Sequence, residues 1–281
     1  MTDFRLGLAL GGGGARGMSH IPVLEALDDL GIKPYAIAGT SIGAIFGAAY
    51  AGGLAGADLR EIVMNTFGDR NKVLNSLWKL RPRKLAELFE GNMVQFDPLK
   101  ILKTFVAEHL PERFEDLEIP LTVVATDFYG CGEVGISEGL LLDAIAASIA
   151  IPAVFKPVKS EHRILIDGGV INPLPFDRLP EECDFILAVD VVGSPVPRPG
   201  RHLPTSMDTL FGTSQILMQT IISEKLKSRR PDMLVSPPHD NIRVLDFLKT
   251  KLILERADSL KHRVTSTLEE AMNKIEQSKK R

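Results

Sequence analysis

The pattern of apolar and polar positions along the 281-residue chain changes period several times, and each change predicts an element. Leu6 to Leu10 is a short unbroken apolar run met at once by glycines, which reads as a buried strand. Val23, Ala26, Leu27 and Leu30 then share one face at helical spacing, predicting a helix over 22–30 with Gly31 as its C-cap. Tyr35 to Ala38 reads as a second strand, and Gly39-Thr40-Ser41 turns into an Ala- and Ile-rich helix ending near Gly52. Strand, loop, helix, strand, turn, helix is the order of a parallel sheet with helical crossovers. Residues 57–118 read mainly as helix, Pro120 to Ala125 as a strand leading into Asp127, and 140–149 as a buried helix. Further strands are predicted over Arg163 to Ile166, Phe185 to Val192 and, after the Pro-rich stretch 194–204, Met233 to Val235. The last helix lines up Leu260, Val264, Leu268, Met272 and Ile275 as a packing stripe.

Composition narrows the picture. With 33 basic and 36 acidic residues the net charge is −3, which is not the footprint of a nucleic-acid binder. Only Cys131 and Cys183 occur, without framework spacing, so a reducing cytoplasm is the default setting. The start MTDFRLGLAL lacks a basic n-region and does not read as a signal peptide. The longest apolar stretch, 140–155, contains Asp143 and Pro152 and falls short of the ~18–20 residues a bilayer requires. The chain is therefore expected to be cytoplasmic, at most peripheral to a membrane, and a single domain over 1–281. Its motif-bearing core would span about 6–192 and its C-terminal helical part 205–281.

Candidate chemistry begins in the loop GGGGARG, residues 11–17. Gly12, Gly14 and Gly17 satisfy G-x-G-x-x-G between a strand and a helix, which raises a dinucleotide site. That site needs an acid at the end of the second strand, where the chain has Ala38-Gly39-Thr40-Ser41 instead. A phosphate-binding P-loop needs Gly-Lys-Ser/Thr at its end, and this loop ends Ala15-Arg16-Gly17. What replaces the missing acid is Gly39-Thr40-Ser41-Ile42-Gly43, a G-x-S-x-G turn that would thrust Ser41 out at a helix start. Alone, that pattern is commonly structural. Beside a glycine loop on the adjacent strand it points to acyl transfer, with bare N–H groups from Gly12, Gly13, Gly14, Arg16 and Gly17 facing an oxyanion. For a base, none of His20, His109, His162, His202, His239 and His262 is framed by turn chemistry at a strand end. Asp167-Gly168-Gly169 is, and its alternative reading is an Asp that only makes a turn.

Taken together, in this order, Gly12 to Gly17, Gly39 to Gly43, Ser148-x-x-x-Pro152 with Phe155, and Asp167-Gly168-Gly169 with Asn172 and Pro175 closely resemble the patatin-like phospholipase family. The resemblance runs from about residue 6 to 192; the C-terminal third matches only in helical character. It implies a three-layer α/β/α fold around a mostly parallel sheet and hydrolysis of lipid or phospholipid esters. It also implies a Ser41–Asp167 dyad, an oxyanion hole in the glycine loop, and no metal or cofactor. An Asp with ordinary pKa ~3.9 is a poor base at neutral pH, so the site would have to desolvate it. An apolar pocket around 140–155 is expected to do so.

Three features stay open at this stage. Arg16 either attracts a lipid phosphate or salt-bridges a surface acid as structural support. Asp127 either orients the site or closes a strand-end turn. Lys79, Arg81, Arg83 and Lys84 beside Leu77 and Trp78 form either a membrane-contacting face or a solvated helix edge. A soluble esterase or thioesterase of the same mechanism, and a non-catalytic lipid-binding or regulatory protein keeping the fold, are the rival functions.

Overall fold

The computed structural model describes residues 4–80, 95–197, 200, 203–238 and 242–279. Its strands are β1 (Leu6–Leu10), β2 (Ala36–Thr40), β3 (Leu121–Asp127), β4 (Gly132–Ile136), β5 (Val158–Ser160), β6 (Arg163–Asp167), β7 (Phe185–Val189) and β8 (Met233–Val235). The helices named below are α1 (His20–Asp29), α2 (Ile42–Ala51), α3 (Gly56–Phe67), α4 (Arg70–Leu80), α5 (Pro98–Phe105), α6 (Leu141–Ser148), α7 (Ser206–Ser228), α8 (Thr250–Ala257) and α9 (Ser259–Lys279). Among the described residues the strands form one eight-stranded sheet with helices packed around it, the mixed α/β class expected.

β1 lies between β2 and β7, parallel to both, and is buried at all five positions. A strand covered on both faces has no use for polar alternation, which is why Leu6 to Leu10 is a solid apolar run. The larger core lies where α1 and α2 cover the sheet, with α9 packed in turn on α1 through Leu260, Val264 and Leu268. The opposite face carries a smaller cluster around Ala9, Ala38, Phe176 and Ile186, covered by Met218, Ile222 and Leu226 of α7.

Two strands escape the periodicity reading. β4 and β5 are short, half-exposed and carry no alternating pattern. They matter because they belong to the antiparallel part of an otherwise parallel sheet: β3 pairs antiparallel with β4 and β6, and β5 with β6. β2 uses Leu121 to Val124 of β3, β4 uses Val123 to Asp127, and β6 uses Ala125 to Asp127. Each residue of β3 offers one partner per edge, so β4 occupies one edge while β2 and β6 share the other. Along that shared edge β2 arrives from below and stops at Thr40, opposite Val124. β6 arrives from above and stops at Asp167, opposite Ala125. The two strand ends meet head-on. The residue after Thr40 is Ser41.

Candidate active site

Ser41 is the single residue between β2 and α2, with φ 54° and ψ −121°. A non-glycine residue there costs of order 1–3 kcal/mol and persists only where its surroundings over-determine it. They do so here. A side chain on Gly43 would collide with the Leu10 carbonyl, so α2 starts in contact with β1 only because position 43 is bare. Gly39 is held in the same way against the backbone of Ala44. The Ser41 amide donates to Ser148 Oγ at 2.8 Å, and that hydroxyl donates to the Val124 carbonyl at 2.6 Å. Ser148, buried at the end of α6, thus ties the residue after β2 to β3.

Across the junction Ser41 Oγ donates to Asp167 Oδ2 at 2.7 Å. Asp167 Oδ1 accepts the Gly169 amide at 2.7 Å, which fixes the carboxylate plane. Thr126 Oγ1 donates to the Asp167 carbonyl and Thr40 Oγ1 to the Asn172 carbonyl, tying the segment on either side of Gly168 and Gly169 to β3 and β2. Asp167 is only 6% exposed, and burial pushes its pKa from 3.8 to about 6, against the opposing pull of the bonds from Ser41 and Gly169.

The glycine loop divides its work. The Gly11 amide donates to Val189 O, the Gly12 amide to Pro173 O and the Ala15 amide to Val244 O. Among the described residues no backbone acceptor takes the Gly13 or Gly14 amide. Gly14 sits at φ 59° on the wall of the cavity that Ser41 also faces, and a side chain there would run into Val244 O. The Arg16 side chain is buried. Its Nε donates to Ile242 O at 3.0 Å and its Nη1 to Val192 O at 2.7 Å, while desolvation pulls its pKa down to about 10. Its partners are backbone carbonyls and not a surface acid, so it holds the loop by a route the sequence reading did not name. Gly17 allows the loop to pack on the Ile42 side chain.

The cavity at Ser41 has a volume of about 350 Å³, within the usual range for small-molecule sites. Ile149, Ile151, Val154 and Phe155 line it, as the expectation for 140–155 requires. Most of its wall comes from elsewhere, including Phe46 of α2, Val63 of α3 and Leu102 of α5. Asp127 closes a turn by accepting the Gly130 amide and pairs with Arg163; among the described residues no hydrogen bond or ion pair joins its side chain to Ser41 or Asp167. Of the basic cluster, Arg81, Arg83 and Lys84 lie outside the described residues; Trp78, on α4, is 65% exposed.

One buried residue the periodicity reading passed over is His20. It is completely buried in α1, and its Nε2–H donates to Gly11 O at 3.0 Å, underpinning the glycine loop. The signal was present: His20, Leu24 and Leu27 continue the apolar stripe of α1 by one turn.

A family model described as Patatin-like phospholipase matches residues 8–180. Among curated relatives, an uncharacterised NTE family protein of Mycobacterium bovis is 36% identical over 191 residues, covering 68% of this chain and 50% of that protein. Patatin-like phospholipase domain-containing protein 6 of Mus musculus is 30% identical over 179 residues, covering 63% of this chain and 13% of that protein. The chain therefore spans half or less of the length of these relatives. VipD from Legionella pneumophila superimposes with a TM-score of 0.53 at 13% identity, covering 95% of this chain and 67% of that one, a likeness of fold.

Proposed function

This chain belongs to the patatin-like phospholipase family, and from that premise we propose that it is a serine acyl hydrolase. Its substrates are lipid esters, phospholipids among them, cleaved by a Ser41–Asp167 dyad without metal or cofactor. The observation that carries this reading is the 2.7 Å bond from Ser41 Oγ to Asp167 Oδ2, made at the wall of an apolar cavity.

The acyl chain occupies the cavity between α2, α3 and α5, bringing the ester carbonyl to Ser41. Ser41 Oγ attacks the carbonyl carbon while its proton passes to Asp167 Oδ2. Charge develops on the carbonyl oxygen beside the Gly13 and Gly14 amides, which the fold leaves without backbone acceptors and which cost no reorganisation to donate. Gly12 and Gly17 shape that loop by close packing and Arg16 anchors it. The Asp167 carboxyl then protonates the leaving alcohol, and in the second half it takes a proton from the water that frees the acid. A pKa raised toward 6 leaves this carboxylate ionised at neutral pH yet basic enough to share a proton with the hydroxyl.

Ser41→Ala should fold normally but lose labelling by a fluorophosphonate probe and hydrolysis of p-nitrophenyl esters. Near wild-type turnover by that variant sinks the proposal.

A further inference from the structure

A second cavity, of about 540 Å³, lies between the first turns of α7, residues 195–197 and residues 243–246. That volume is within the range of small-molecule sites. Among the described residues neither Ser41 nor Asp167 lines it, and from the glycine loop only Arg16 does. Its wall combines two chemistries. Leu203, Met207, Phe211, Val244 and Leu245 give it an apolar side, while Arg16 and Arg243 bring two guanidinium groups to it.

The two arginines differ in burial. Arg16 is only 2% exposed, and two of its five guanidinium N–H groups are used, on the Ile242 and Val192 carbonyls. Its Nη2 makes no hydrogen bond among the described residues, yet the fully buried side-chain polar atoms without a partner are Ser19 Oγ and His20 Nδ1. The small exposed part of Arg16 therefore includes Nη2, and this is the cavity that Arg16 lines. A buried charged group with unused donors is costly unless a partner takes them. Arg243 is exposed, and among the described residues its guanidinium has no hydrogen-bond or ion-pair partner. Asp208 and Asp246 also line the cavity, but both already hold donors. Asp208 accepts from the Thr205 amide and hydroxyl, and Asp246 from the Arg243 amide and from Lys249 Nζ at 2.7 Å. With two cations and two acids on the wall, little net field is left to offset the desolvation of a dianion. A monoanion needs only its local bonds to Arg16.

We propose that this cavity is a second, non-catalytic binding site for a fatty carboxylate. The head group accepts from Arg16 Nη2 and is attracted by Arg243, while the chain lies along Met207, Phe211 and Leu245. A carboxylate suits a guanidinium because both of its oxygens can accept N–H bonds from one planar group. The apolar wall selects an acid with a hydrocarbon chain over a small polar one. The site goes beyond the catalytic reading and does not depend on it. Where that reading holds, the ligand is of the class the enzyme releases, held by a residue of the oxyanion loop itself.

Photolabelling with a decanoate that carries a diazirine at its far end, read by peptide mass spectrometry, tests this directly. In wild type the label should fall on residues 203–212 and 243–246. Excess decanoate should abolish it, while decanol or inorganic phosphate at the same concentration should leave most of it. By calorimetry Arg16→Gln should weaken decanoate binding about tenfold or more, the worth of one hydrogen bond to a charged group. If that variant misfolds, Met207→Glu with Arg243→Gln serves, since both positions are exposed. The double variant should melt as wild type does and show the same loss. Label confined to residues 59–74 and 96–106 would put the carboxylate in the cavity at Ser41 alone and overturn the proposal. So would absent labelling, equal competition by decanol or by phosphate, or unchanged affinity in the folded variants. Ser41→Ala should label at 203–212 as wild type does, so a failure of the dyad on soluble esters leaves this site standing.

Discussion

Asp167 and His20 are two buried titratable groups at one edge of the sheet, each bonded to a segment that frames Ser41, and burial moves them in opposite directions. It raises the Asp167 pKa to about 6 and lowers that of His20 from 6.5 to about 4, because in both places the low-dielectric surroundings disfavour the charged form. The partners differ. Asp167 receives a hydroxyl and an amide proton, the donors a carboxylate can use. His20 gives its one N–H to the Gly11 carbonyl, and its Nδ1 and the neighbouring Ser19 Oγ are the buried side-chain polar atoms without a partner among the described residues. The same physical effect brings the acid toward the pH at which a base is useful and drives the imidazole away from it. The buried His20 is held as a donor to the Gly11 carbonyl, and Asp167 is the group to which the proposed mechanism gives the proton.

The sharpest way to break that comparison is Asp167→Asn, which keeps the shape and removes the proton acceptor. Soluble-ester turnover should fall by ~10² or more, in line with the value of a positioned base. In wild type the rate should climb with pH through about 6 and then level, with no limb from His20. A bell whose second limb vanishes in His20→Gln would make the imidazole a participant. Asp167→Asn also reads out stability. The folded-state pKa of Asp167 lies above its unfolded value, so the native state holds the proton more tightly and loses stability as pH rises from about 4 through about 6. The loss is ~3 kcal/mol, at 1.36 kcal/mol per pKa unit. Asp167→Asn should therefore melt higher than wild type at pH 8 and show no such advantage at pH 4.

Ser148→Ala removes the hydroxyl that joins the Ser41 amide to the Val124 carbonyl, leaving both buried groups unpaired. That should cost ~1–3 kcal/mol of stability. Because the elbow is released, kcat for a soluble ester should fall more than KM rises, and Ser148→Thr should restore part of it. At the small end, His20→Gln retains a donor for Gly11 O, so the folded enzyme should keep turnover within about tenfold while its thermal midpoint falls. His162→Gln and His262→Gln, both exposed, should change stability by less than ~0.5 kcal/mol.

Much of this was legible in the chain itself. The bounds of β1 and β8, the start of α2 at the Ser41 turn, the stripe of α9 and the bare Gly39 beside Ala44 all follow from interactions within a few residues: apolar period, turn chemistry and steric room. Asp167 could be singled out by its Asp-Gly-Gly turn at a strand end, but that turn does not say what the side chain meets. The tertiary fold brings it to Ser41. β6 is antiparallel, and a long β3 lets it meet β2 end to end. Nothing local encodes that register, since it is set by which strand fills each edge of β3. The same holds for the cavity wall, gathered from residues between positions 14 and 248, and for Arg16, whose carbonyl partners lie 176 and 226 residues away. Period and turn chemistry act over a few residues and are written in the sequence; pairing register, burial and the pKa values that burial sets arise only when distant segments close on one another.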